Sequence, residues 1–462
     1  MKRLKIGLLP LYIKLYDDVW PEARGRMDSF AGKIVRELEK RGLDVVCAEV
    51  CRIKPEFETA IGRFEKENAD AIVTLHLAYS PSLESVDALA GTELPLIVLD
   101  TTPTFDYSPA QDPDELLYNH GIHGVQDMCN LLLRRGKEFL IEAGHWAESD
   151  VLDRVTDCVK AAGIAGVMKK ARVGRIGSPF KGMGDFQLPE DVMSSTIGIR
   201  TIPYASGEGS VHADEVSDGE IELEMSRDRE NFRMEHIDEA VHRKSTRACL
   251  AVRKWVERNR LTAFTVNFME ITRQSGVSCM PFMEAGKAMA QGTGYAGEGD
   301  VLTAAMVGAL MSVYPETSFT EMFCPDWNND SIFLSHMGEM NLSLTAGQAI
   351  LRELDFPYTA ADNPIVAYGR FKQGDAVFVN LAPGRDCTYT LIVSPVEMLD
   401  VKGIDRMEDS IHGWMKPCIP LPDFLSSYSR AGGTHHGAIA YGASVGVLEA
   451  FAGIMRWRFV KL

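Results

Sequence analysis

Over its first hundred residues the chain alternates short apolar runs with longer stretches whose apolar positions recur at helical spacing. Residues 6–9, the valines at 45, 46 and 50, residues 71–75 and residues 96–99 predict four strands. Between them the spacing predicts three helices: one capped by Asp28 that passes through Val35 and Leu38 and stops at Gly42, one around Ile61 and Phe64, and one that takes Ser80 as cap and Pro81 as first helical position and runs to about Ala90. Strand and helix in alternation imply a parallel sheet covered on both faces. This is a doubly wound α/β domain, which takes ligands at the carboxyl ends of its strands.

The pattern then changes. TTPTFDYSPAQDPDE, residues 101–115, is rich in turn formers and too long for a tight connection, so a functional loop is expected there. NHGIHGVQDMCNLLLRRG predicts a helix stopped by Gly136, with a strand after it. A second α/β unit starts near residue 164, with strands over 172–176 and 197–202, a long charged helix over roughly 235–258 and a strand over 261–268. From about residue 317 the runs SIFLSHMG, PIVAYGRF, DAVFVNLA and CTYTLIVSPVEML predict an antiparallel sheet or barrel, and an apolar helix over 443–457 closes the chain. The expected domains are therefore 1–163, 164–316 and 317–462.

Composition narrows what such a chain does. Its 462 residues exceed one core, which agrees with several domains. With 48 basic against 65 acidic side chains the net charge is −17 and repels a phosphate backbone, and no Lys/Arg run with interleaved aromatics overrides it, so no nucleic-acid partner is expected. Nine cysteines, an odd number without a CxxC pair, predict a reduced, cytosolic set of thiols. The apolar opening is short, contains Pro10 and is followed by Lys14, Asp17 and Asp18, which suits a first strand better than a signal peptide. No run of about 18 uncharged apolar residues is present, so no membrane span is expected.

Gly292, Gly294 and Gly297 in GTGYAG spell the dinucleotide fingerprint G-x-G-x-x-G, but a helical pattern, PFMEAGKAMAQ, precedes them where a strand is required. A nicotinamide-dependent oxidoreductase is set aside on that ground. Four other segments each bring a metal-ligand residue type to a loop or strand end: YAGEGD with Glu298, SFTEMF with Glu321, FLSHMGE with His336, and AGGTHHG with His435 and His436. Two carboxylates with two imidazoles suit Mn²⁺, Co²⁺ or Mg²⁺, with water or substrate oxygens completing the shell. Singly, each has another reading. GEGD forms a reasonable turn with Asp300 capping the next helix, and His336 on an apolar strand fits a satisfied core histidine. A buried Glu321 without a partner would be costly, and paired glycines ahead of two histidines let the imidazoles point into a cavity. The set, not any single member, carries the inference.

Taken in order, GYAGEGD, the glutamate of SFTEMF, the histidine of SHMGE and AGGTHH resemble the pattern of bacterial L-arabinose isomerases, within the wider L-fucose and L-arabinose isomerase-like superfamily. FTVNF followed by MPFMEAGKAMAQGTGYAGEGD resembles the run before that family's first metal glutamate, and NHGIHGVQD resembles its histidine-bearing substrate segment more loosely. The resemblance implies two Rossmann-like domains followed by a β-rich, barrel-like carboxyl-terminal domain. It also implies that Glu298, Glu321, His336 and His436 are metal ligands, that both glutamates form the acid/base pair, and that His123, Phe268 and His435 face the sugar. A homo-oligomer, tetramer or hexamer, is implied on the same ground. MFCPDWNND after Glu321, HGVQD and the amino-terminal LYIKLYDDVW depart from the family's pattern, so the reaction class transfers better than the identity of the sugar.

The expected activity is a metal-dependent aldose–ketose isomerisation of a free pentose or hexose through an enediol(ate), with Mn²⁺ the foremost metal. The alternative from another class is a sugar-binding or sensing protein on the same scaffold, which has no need for two glutamates and two histidines gathered on one ion.

Overall fold

The computed structural model describes residues 3–205 and 212–462. The chain forms two compact units, 1–166 and 167–462, the division falling inside helix Val151–Lys169.

The first unit is a five-stranded sheet of β1 (Lys5–Leu11), β2 (Asp44–Cys47), β3 (Ala71–His76), β4 (Leu96–Asp100) and β5 (Leu140–Ala143), in the order β2-β1-β3-β4-β5. Every pairing is parallel. All six residues of β3 are buried, as they must be in a strand covered on both faces. On one face Leu9, Leu11, Ile72 and Val98 pack with Phe57, Ile61 and Phe64 of helix Lys54–Lys66 and with Val125, Met128 and Leu132 of helix Ile122–Arg134. Each such side chain contributes about 1.5–3 kcal/mol by leaving water.

Two helix starts differ from the sequence expectation. Asp28 lies inside helix Arg24–Lys40, which grows out of a preceding 3₁₀ turn, Pro21–Ala23, and Asp28 is engaged instead by Arg24 one turn earlier at 2.9 Å. At the third helix Pro81 itself is the extended residue before Ser82–Gly91, and Asp127 accepts from both the backbone N–H and the hydroxyl of Ser82. β2 ends at Cys47, leaving Val50 outside it, and the strand expected over 197–202 is Arg200–Pro203.

The second unit begins with a parallel sheet of β6 (Arg172–Ile176), β7 (Arg200–Pro203), β9 (Ala263–Val266) and β10 (Gly294–Gly297), in the order β10-β9-β6-β7. The glycines of GTGYAG serve packing here. A Cβ on Gly294 would lie 2.4 Å from the backbone nitrogen of Gly308 in helix Val301–Met311, so the bare backbone lets strand and helix touch. A small sheet of β8 (Arg233–Met234), β13 (Ile350–Glu353) and β14 (Ile365–Tyr368) follows.

The carboxyl-terminal part is a closed six-stranded barrel of β11 (Thr317–Asp326), β12 (Ser331–His336), β15 (Gly374–Pro383), β16 (Tyr389–Met398), β17 (Ile411–Pro417) and β18 (His436–Tyr441). The antiparallel ladder between β15 and β16, from Gly374 opposite Met398 to Pro383 opposite Tyr389, closes it, and β19 (Arg458–Lys461) adds in parallel to β16. Ile332, Leu334, Phe378, Ile392, Met415 and Ile439 share one core with Leu421, Phe424 and Tyr428 of helix Leu421–Ala431.

The second unit also buries a charge network. Arg253, on helix Glu239–Arg258, binds Glu224 and Glu284 at 2.9 and 2.8 Å, while Lys287 binds Glu224 and Asp228. Burial pushes the Glu284 carboxyl up to about 7 against the pull of Arg253 and Lys287, whereas Arg253 and Lys287 overcome burial at Glu224 and hold it at about 2. Removing the shared cation strands Glu284 and leaves Glu224 to Lys287 and Arg227. Arg253→Met is expected to destabilise the second unit by roughly 3–5 kcal/mol, read as a lowered denaturation midpoint. An unchanged midpoint would show that the network is dispensable.

Candidate metal centre

Glu298 occupies a tight turn between β10 and helix Val301–Met311, with φ +62°, a left-handed conformation that non-glycine residues hold only under constraint. Its two flanking glycines have steric reasons. A Cβ on Gly297 would lie 2.5 Å from the His336 ring, and one on Gly299 would lie 2.7 Å from the Ser178 carbonyl oxygen. Asp300 caps the next helix through the Thr303 N–H, as its position in the sequence suggests.

The other donors come from the barrel. β11 lies between β12 and β18, and its register sets Glu321 opposite His436 on one side and opposite Ser335, the neighbour of His336, on the other. Helix Leu421–Ala431 stops at Gly432, whose φ of +89° reverses the chain into His435 and the first residue of β18. Residues 298, 321, 336, 435 and 436 thus meet although they stand far apart in sequence.

They meet as two overlapping triads. The ligand atoms of Glu298, His435 and His436 lie within 4.8 Å of one another, as do those of Glu321, His336 and His436. His336 Nε2 stands 3.9 Å from Glu321 Oε2, and His436 Nε2 stands 3.5 Å from Glu298 Oε2. These separations are too long for hydrogen bonds. Glu298 Oε2, His435 Nε2 and His436 Nε2 are all buried without a hydrogen-bond partner, which proteins tolerate poorly.

Electrostatics point the same way. Burial would raise the Glu298 carboxyl, but the imidazoles of His435, His436 and His336 outweigh it and hold it at about 2. Burial would lower His436, yet Asp300 and Glu298 push it up to about 10, and His435 is raised by Glu298 and Asp185 in the same manner. At Glu321 burial prevails over the nearby imidazoles and the carboxyl is raised. The cluster therefore draws positive charge, and its orphaned nitrogen and oxygen atoms are the donor types a divalent ion takes.

Several partners of these donors are not evident from the sequence pattern. Glu339, inside the SHMGE segment, accepts from His336 Nδ1 at 2.7 Å and from the Tyr295 hydroxyl at 2.8 Å. Asp300, read from sequence only as a cap, also binds His436 Nδ1 at 3.0 Å. Asp185 engages His435, and Phe186 stacks on His436 with ring centroids 5.2 Å apart. The spacing of glutamate three residues after His336 was the one available signal; Asp185 and Phe186 carried none.

Of the remaining candidates, Phe268 begins a short 3₁₀ turn and forms an aromatic wall with Phe180 and Tyr358, at 5.5 and 5.6 Å. The Phe180 N–H bonds the Glu298 carbonyl at 2.9 Å, which ties that wall to the turn. His123 belongs to the first unit, on helix Ile122–Arg134, where it packs edge-on to His120 at 5.7 Å. Among the described residues no helix is long and apolar enough to cross a membrane.

The chain matches the description "L-arabinose isomerase central domain" over residues 193–315 and "L-arabinose isomerase C-terminal domain" over residues 316–457. It is 24% identical over 402 residues to an L-arabinose isomerase of Levilactobacillus brevis, covering 84% of this chain and 83% of that one. An L-arabinose isomerase of Shouchella clausii is 23% identical over 465 residues, covering 97% and 92%. L-arabinose isomerase 1 of Bacillus licheniformis is 25% identical, covering 82% and 78%. Among solved structures, a periplasmic solute-binding protein of Actinobacillus succinogenes with bound D-allose is 12% identical, covering 67% of this chain and 92% of that one with a TM-score of 0.17, too low to bear on this chain.

Proposed function

The chain belongs to the L-arabinose isomerase family and is an aldose–ketose sugar isomerase, and from that premise we propose that it works with a divalent ion on a free pentose or hexose through an enediol(ate). The observation that carries the proposal is the pair of donor triads sharing His436, with buried ligand atoms left unpartnered by the protein.

Interconverting an aldose and a ketose moves a carbonyl between C1 and C2. A proton must leave C2, whose C–H electrons become the C1=C2 bond while O1 takes up the charge; a proton then returns to C1 and O2 becomes the carbonyl. When bound, a divalent ion such as Mn²⁺ supplies positive charge to the sugar oxygens as negative charge develops there. Glu298, Glu321, His336 and His436 are the proposed ligands. The carboxylates of Glu298 and Glu321 are also the proposed proton carriers, one between C2 and C1 and the other between the oxygens. Phe268, in its wall with Phe180 and Tyr358, and His123 are proposed to face the sugar, excluding water and helping to select it.

The same proposal keeps three domains, 1–163, 164–316 and 317–462, the second boundary supported by the junction of the two family descriptions between residues 315 and 316. A cytoplasmic homo-oligomer is part of it, the location supported by nine free cysteines.

Incubating Mn²⁺-loaded protein with a panel that includes L-arabinose, D-galactose and L-fucose, followed by chromatography, tests the activity. Interconversion of at least one aldose with its ketose is expected. Absence of ketose from every aldose would contradict the proposal and favour a sugar-binding role.

A further inference from the structure

We propose that His435 is a third imidazole ligand of the same ion, aimed by Asp185, so that the chain offers two glutamates and three histidines rather than two of each. This rests on reading the cluster as a divalent-metal centre.

The three histidines share one arrangement. Each presents Nδ1 to a carboxylate: His336 to Glu339 at 2.7 Å, His436 to Asp300 at 3.0 Å and His435 to Asp185 at 2.6 Å. An ionised carboxylate only accepts, so in each ring Nδ1 bears a hydrogen and Nε2 is the nitrogen left to meet an ion, which takes the place of any proton there. A carboxylate on the far nitrogen is the usual support of a metal-bound histidine. Asp185 holds the backbone of His435 as well, through its N–H at 3.1 Å, so both ring and chain are fixed.

The inward nitrogens are then alike with respect to Glu298, while His436 alone of the two also belongs to the triad with Glu321 and His336. His435 Nε2 lies 3.6 Å from Glu298 Oε2, against 3.5 Å for His436 Nε2 from the same oxygen. Both nitrogens and the oxygen are buried with no hydrogen bond. The two separations from Glu298 differ by no more than 0.1 Å, so an ion held by Glu298 and His436 would meet His435 Nε2 at closely similar reach.

The segment that supplies Asp185 is itself tied to the site. The Asn267 side-chain amide donates to the Ser178 carbonyl at 2.7 Å, Phe180 is bonded to Glu298, and Phe186 stacks on His436. Asp185 is thereby delivered next to the tandem histidines although 250 residues separate it from His435. A third imidazole also biases the centre away from Mg²⁺ and towards Co²⁺ and other ions that favour nitrogen.

The test is calorimetric titration of metal-free full-length protein with Co²⁺ in the absence of sugar, together with the visible absorption spectrum of the Co²⁺ form. His435→Gln and Asp185→Asn are each expected to weaken Co²⁺ binding by roughly 10- to 100-fold, and His435→Gln to shift the ligand-field bands. Wild-type affinity and bands in His435→Gln would overturn the proposal and return His435 to the sugar. Asp185 is partly exposed on a loop, so its variant decides the matter should His435→Gln fail to fold; wild-type Co²⁺ affinity in Asp185→Asn then overturns the proposal. Wild-type protein that binds Co²⁺ as described but converts no aldose would refute the isomerase activity and leave the ligand assignment standing. Wild-type protein that binds no Co²⁺ would refute both.

Discussion

Glu298→Gln is expected to lower turnover by roughly 10²- to 10⁴-fold, the loss that follows removal of one general base. The substitution keeps the shape and length of the side chain, so the left-handed turn at φ +62° and the close approaches of Gly297 and Gly299 have no reason to change. What changes is chemical. An amide neither takes up the proton nor offers an anionic oxygen, and the carboxylate lost is the one whose Oε2 lies 3.5 Å from His436 Nε2 and 3.6 Å from His435 Nε2. The base disappears and the ligand is weakened to a neutral carbonyl oxygen. Initial rates with saturating Mn²⁺ on the best aldose of the panel check this, and turnover near the wild-type value would remove Glu298 from the mechanism.

Metal removal is expected to have the larger effect. Stripping the protein with a chelator should abolish turnover, and adding back Mn²⁺ or Co²⁺ should restore it. Binding should also raise thermal stability, since an ion held only by the folded chain adds about 2.7 kcal/mol at a hundredfold excess over its Kd. The triads meet at His436, so His436→Ala takes a donor from each and should prevent the restoration. Full turnover in protein shown to be free of metal would contradict the mechanism.

Much of this architecture is legible from local patterns. The mainly apolar runs of β3 and β4 sit between amphipathic helices, and burial on both faces requires that composition. Three of the donor-bearing segments are legible because each sets a ligand residue at a strand end or among glycines, and the glycines at 297 and 299 are needed for the approach of other atoms, whereas Glu321 lies not at a strand end but in the middle of β11. Asp28 misled because its partner, Arg24, lies inside a helix that begins earlier than its apolar periodicity. Ser80 misled because Pro81 takes the extended conformation of the cap itself. Asp185 and Phe186 were beyond reach for a different reason. A carboxylate that supports a histidine 250 residues away leaves no spacing in the sequence, and only the fold of the 177–188 segment brings them together. Closure of the barrel by the β15–β16 ladder is likewise a long-range property, although the strands themselves are plain.

The central claim is that residues scattered from 298 to 436 hold one divalent ion. Crystals of the full-length protein grown with Mn²⁺ and measured at a wavelength where manganese scatters anomalously test it most directly. One peak per chain is expected within about 2.0–2.3 Å of carboxylate oxygens of Glu298 and Glu321 and of Nε2 of His336 and His436, the usual range for such donors. A cluster without a peak under saturating Mn²⁺, or an ion bound only elsewhere in the chain, would contradict it.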